Sequence, residues 1–189
     1  MPPKVKISKE DILKTTIELI RTSGEQAINA RAIASALNCS TQPVFSNFAT
    51  MEELHEDVLL AVYDIYLNFL NSEFESGKYP QYKSFGMAYI RFAKEEKELF
   101  KLLFMCDRRG QGASASPDFE AAVTMIMEAN RLTRERAELL HLEMWSCVHG
   151  IGTMLATSFF SPDWELISRM LTDIYQGLRE RHLKEEAKA

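Results

Sequence analysis

The sequence, 189 residues long, predicts an all-α protein of nine helices in two parts. Apolar residues recur three and four positions apart behind residues that cap helices, and no stretch sustains the period-two alternation of a half-buried strand. No Asn-Gly or Asp-Gly pair offers a hairpin turn.

Ser8 is placed to cap a first helix, with Glu10 and Asp11 in the turn where the helix dipole favours acids. Ile12, Leu13, Ile17, Leu19 and Ile20 follow at helical spacing, and Gly24 ends the element, so this helix spans about 9–22. A second helix starts after Asn29 and a third after Ser40, which is expected to cap it, with the break at Asn38-Cys39. Pro43 is tolerated because it falls in the third helix's first turn, where its missing N–H has no intrahelical partner. Thr50-Met-Glu-Glu53 is a capping box that opens a long helix through Leu54, Val58, Ala61, Ile65, Leu67 and Phe69. Gly77-Lys-Tyr-Pro80 stops it. Helices are then expected over about 81–93, 95–106, 117–131, 133–160 and 163–184, with the loop Gly110–Pro117 between the second and third of these.

A chain of this size buries roughly 70% of its unfolded surface and needs no covalent staple. The three cysteines, Cys39, Cys106 and Cys147, are scattered, form no CxxC pair and favour a reducing, cytoplasmic setting. Met-Pro-Pro-Lys-Val-Lys leads into a helix without the apolar run of a signal peptide, and the apolar stretch from Cys147 to Phe160 is shorter than the ~18 residues that span a bilayer. The expectation is a soluble protein without a membrane partner. The net charge of −5 excludes a chain that coats nucleic acid over its whole surface, but residues 1–48 carry six Lys and Arg against four acids. That N-terminal +2 stands against −7 in the remainder, which directs any anionic polymer to the N-terminal end.

Residues 29–48 have the pattern of a helix-turn-helix. Ala30, Ala32, Ala34 and Ala36 keep the first helix thin, so Ile33 and Leu37 can reach Val44 and Phe48 on the second. The outward face of the second helix then carries Thr41, Gln42 and Ser46, short polar groups suited to base edges in a major groove.

Residues 8–60 resemble the N-terminal domain of the TetR family of transcriptional repressors. The resemblance lies in Ile12, Ala27-Ile28, Ile33-Ala34, Ser40, Val44-Phe-Ser-Asn-Phe48 and Thr50-Met-Glu-Glu-Leu54, in order and spacing. It implies a DNA-binding domain over 1–54 and a helical ligand and dimerisation domain over 55–189. It further implies DNA contacts from Lys4, Lys6, Lys9, Asn29, Arg31, Ser40, Thr41, Gln42, Pro43, Phe45, Ser46 and Asn47. Gln42, with its bidentate amide, is the candidate for an adenine. The sequence departs from the family at several positions: Phe45 stands where Tyr is usual, Asn47 for a frequent His, Met51 for a common Lys, and Asn38 for Gly. The third helix therefore has no Lys or Arg, and phosphate contacts fall to Lys4, Lys6, Lys9, Arg31 and backbone donors.

Trp145-Ser-Cys-Val-His149-Gly150 resembles a Trp-x-x-x-His-Gly motif of one subset of the family's C-terminal domains, and its i, i+4 spacing puts Trp145 and His149 on one helical face. The pair reads first as a core Trp beside a hydrogen-bonded His, with a ligand contact as the second reading. The last two helices are expected at a homodimer interface, with Gly150 and Gly152 permitting close approach and Trp164, Ile167, Met170, Leu171 and Ile174 supplying apolar surface. Met87, Phe92, Phe100, Phe104, Met105, Met125, Met144, Trp145 and His149, with Phe159, are candidates to line a pocket for a small, largely apolar effector, or to fill the core.

No catalytic motif appears, and no cofactor or metal is expected. His141 and Glu143 point about 200° apart on one helix, so they do not converge with Cys147 and His149. The expected function is a dimeric, non-enzymatic regulator that binds palindromic double-stranded DNA and is released by an effector. The alternative is a helical ligand-binding or protein-interaction dimer whose DNA binding is weak or lost.

Overall fold

In the computed structural model the described residues are 7–106 and 117–187. Among them the chain forms nine α-helices and no strand: α1 (Lys9–Ser23), α2 (Ala30–Ala36), α3 (Gln42–Asn47), α4 (Met51–Glu75), α5 (Gln81–Glu95), α6 (Lys97–Phe104), α7 (Pro117–Asn130), α8 (Arg134–Ala156) and α9 (Trp164–Glu186). A short 3-10 turn, Glu25–Ala27, links α1 to α2. The loop expected over Gly110–Pro117 lies almost wholly outside the described residues.

The chain divides into two compact units, Met1–Leu67 with Glu96–Cys106, and Asn68–Glu95 with Asp107–Ala189. In the first, Ser8 accepts from the Asp11 N–H at 3.0 Å while Asp11 accepts from the Ser8 N–H at 2.9 Å, a closed capping box. Ile12, Ile20, Ile33, Val44, Phe48 and Leu54 are buried and form the core. Each is worth about 1.5–3 kcal/mol by burial, against about 0–1 for an exposed ion pair, so the apolar faces decide the packing. Residues 96–106 join this unit from the middle of the chain. Glu96 takes Arg21 Nε and an Arg21 terminal nitrogen, each at 2.8 Å, tying the start of α6 to α1. At the start of α4, Thr50 accepts from the Glu53 N–H at 3.1 Å, and Glu53 accepts from Ala49, one residue ahead of the expected box partner.

In the second unit, α5, α8 and α9 meet around Met87, Ile90, Leu140, Val148, Ile151, Ile167 and Leu171, all buried. Gly86 lets them close: a Cβ there would stand 3.2 Å from Val148 Cγ2 and 3.3 Å from Leu171 Cδ1. Helix α8 ends at Ala156, short of the expected residue 160. Ser158 takes a positive φ of 56°, and the Phe159 N–H turns back to the Met154 carbonyl at 3.0 Å, closing the helix end. No described helix is long and apolar enough to cross a membrane.

Candidate nucleic-acid interface and the C-terminal helix faces

Asn29 caps α2, its side-chain oxygen accepting from the Arg31 and Ala32 N–H groups at 3.1 and 3.0 Å. After Leu37, Asn38 adopts a φ of 51°, and the Cys39 N–H bonds back to the Ala34 carbonyl at 2.9 Å. That left-handed residue makes the turn between α2 and α3, at a cost that Asn tolerates better than most side chains. The expected Ser40 cap is corrected here: α3 begins at Gln42, so Thr41 occupies the cap position, and no side chain caps the helix.

Val44 and Phe48 point α3 into the core. Gln42, Phe45 and Ser46 form its exposed face, with Phe45 at 52% exposure, while Thr41, Pro43 and Asn47 are half-buried. Two of the expected phosphate contacts have partners within the chain. Asn47 donates its amide to the Pro43 carbonyl at 2.8 Å, and Lys9 pairs with Asp57 at 2.5 Å while lying over the Phe48 ring. The hydrogen bond to Asp57 holds the Lys9 pKa above its ordinary value, and the pair lies at the surface, with the Lys9 side chain 47% exposed. Arg31 is exposed on α2, and Lys4 and Lys6 lie outside the described residues.

His55 and Glu52 line a cleft of about 680 Å³ in the same unit. Its floor includes Ile28, Leu54 and Val58, its rim Glu25, Glu52 and Glu56, and His55 Nε2 lies 2.6 Å from Glu25 Oε1. Three carboxylates on this rim would repel a phosphate backbone.

In the second unit α5 and α8 are tied twice. Tyr82 and Tyr89, two turns apart on α5, bring their hydroxyls to Nδ1 of His141 at 3.0 Å and of His149 at 2.8 Å. Burial raises the Tyr82 pKa and lowers that of His141 to about 4, so this pair is neutral at pH 7. Burial also holds the His149 pKa below its ordinary value. Trp145 stacks flat on His149, with ring centroids 5.0 Å apart, and is itself 41% exposed. The seven-residue spacing of the tyrosines was visible in the sequence, but their partners were not. Glu143 is likewise engaged across helices, with Arg181 and with the buried His182 at 2.9 Å on α9.

The candidate pocket residues are divided between the units. Phe100, Phe104 and Met105 belong to the first; Met87, Phe92, Met125, Met144, Trp145 and His149 belong to the second. Met87, Phe92, Phe100 and Met144 are buried, Phe104, Met125 and His149 are half-buried, and Met105 is exposed. The residues expected between two copies also separate. Gly152, Ile167 and Leu171 are buried within their own chain and belong to its core, whereas Trp164, Met170 and Ile174 are half-buried and Gly150 is exposed. The apolar surface that α8 leaves open is instead Leu139, Leu142 and Trp145, and Phe159 and Phe160 stand exposed beyond its end.

Residues 82–174 match the family model described as the Tetracyclin repressor-like, C-terminal domain. A search of curated proteins gives no match.

Proposed function

We propose that this chain, which belongs to the TetR family by its C-terminal domain and its all-helical fold, is a dimeric DNA-binding transcriptional regulator. It represses by occupying a palindromic operator and is released by a small, largely apolar effector. The observation that carries this reading is the capped α2, the left-handed Asn38 turn and the exposed Gln42, Phe45 and Ser46 on α3, in a chain with that C-terminal domain. The DNA-binding head is residues 1–54, and residues 55–189 hold the effector and the partner copy.

A second copy covers α8 through Leu139, Leu142, Trp145 and Gly150, with Trp164, Met170 and Ile174 at its margin. Apolar side chains left exposed on one helix gain about 25 cal/mol per Å² when covered. Two-fold pairing sets the two α3 helices about one DNA turn apart, ~34 Å. The effector prefers a dimer whose heads are spaced differently, and it shifts the population only by its differential affinity for that state.

Gln42→Ala tests the reading. Under it, the variant folds normally and relaxes operator choice at one base position in each half-site. A second reading, a ligand-binding or protein-interaction dimer with weak DNA binding, draws on the pairing of Lys9 with Asp57 and the absence of charge on α3. Under that one, wild type and Gln42→Ala bind all duplexes alike.

A further inference from the structure

We infer that Phe45 reads the 5-methyl group of a thymine adjacent to the base contacted by Gln42, so that each half-site has neighbouring A·T pairs where α3 docks. The inference rests on the DNA-binding reading above and adds to it the chemistry by which α3 selects its sequence.

Phe45 is 52% exposed, while Val44 and Phe48 on the same short helix are buried. The core is therefore complete without the Phe45 ring. Gln42, Phe45 and Ser46 are related by steps of three and four residues and share one face, so whatever Gln42 touches lies within reach of the ring. Neither residue has a charge, and α3 from Gln42 to Asn47 contains no cation. A phenyl ring has no donor for a phosphate oxygen and no partner for a base nitrogen or oxygen. The one apolar group displayed on a base edge in the major groove is the thymine methyl. The Gln42 amide matches N6 and N7 of adenine, and the ring, three residues on along the same face, reaches the base pair beside it. Together the two side chains select A·T pairs, one by hydrogen bonds and the other by covering a methyl. With so little charge on α3, this base contact makes up a large share of the discrimination.

The test uses the full-length protein and a duplex that it selects, with each half-site thymine replaced in turn by deoxyuridine, which lacks only the methyl. One position is expected to lose about fourfold in affinity, the ratio produced by uncovering one methyl group, and about fifteenfold when both half-sites carry the change. Phe45→Ala should bind the thymine and uracil duplexes equally, with Phe45→Leu retaining part of the preference. Indifference of wild type to every deoxyuridine overturns the inference and leaves DNA binding standing, as does a Phe45→Ala protein that keeps the full preference. Packing of the ring on deoxyribose gives that same indifference. A wild type that selects no duplex even at low salt removes the inference together with the reading beneath it.

Discussion

Asn29 and Asn38 do most to shape the head at the scale of single residues. Asn29 satisfies two N–H groups at the start of a seven-residue helix, which cannot hold itself by propensity alone. Asn29→Ala is expected to cost about 1 kcal/mol of stability, read as a lower urea midpoint with the same transition slope; an unchanged midpoint contradicts the cap's role. Both asparagines were legible in the sequence, one before an alanine-rich run and one at the break. Ser40 misled because Ser is the better capping type, yet α3 starts two residues later with Pro43 in its first turn, where the chain is turned by proline rather than by a side-chain cap. The pairing of Lys9 was not legible, since it depends on Asp57, on a helix that begins only at Met51. In the second unit His141 makes a prediction about pH. Its imidazole stays neutral in the folded chain down to about pH 4, whereas in the unfolded chain it protonates near its ordinary value of 6.5. The unfolded state binds the extra proton between those values. This contribution to stability is therefore complete above about pH 6.5 and is lost as pH falls toward 4. The thermal midpoint should drop more from pH 7 to pH 5 in wild type than in His141→Gln; equal drops would falsify this account of His141.

Among elements, the clearest constraint is the approach of α5 to α8 and α9 at Gly86. Even one methyl there meets Val148 and Leu171 at 3.2 and 3.3 Å, so a branched side chain forces the three helices apart. Gly86→Leu is expected to destabilise by about 1–3 kcal/mol, measured by chemical denaturation, and a variant as stable as wild type would show that the helices part freely. Periodicity and stop signals were enough to find the helices, because each has an apolar stripe and most begin at a capping residue. The end of α8 escaped because nothing in Thr157-Ser-Phe-Phe160 breaks a helix by composition; the left-handed Ser158 does so. The place of α6 beside α1 escaped for a different reason, since it depends on a pair 75 residues apart, Arg21 with Glu96. Periodicity finds faces but not which distant face covers them. For that reason Ile167 and Leu171 looked like interface residues when they fill their own unit, and Leu142 and Trp145 remain open instead. Leu142→Glu is expected to sediment as a monomer where wild type sediments as a dimer; a variant that stays dimeric removes α8 from the proposed interface.

At the level of the whole molecule, charge is divided between a mildly cationic N-terminal stretch and a remainder of −7. Among the described residues α3 has no cation, and Arg31 is exposed on α2. Few counterions are then released, and log affinity should fall gently with log salt; a slope that needs ~8 or more neutralised phosphates per dimer contradicts recognition through neutral side chains. The most direct measurement is selection of duplex DNA from a random pool by the purified protein at moderate salt. The account predicts a recovered palindrome with half-sites about one helical turn apart and A·T pairs where α3 docks. No enrichment, even at low salt, would contradict it and leave the C-terminal helices as the part of the molecule that meets a partner.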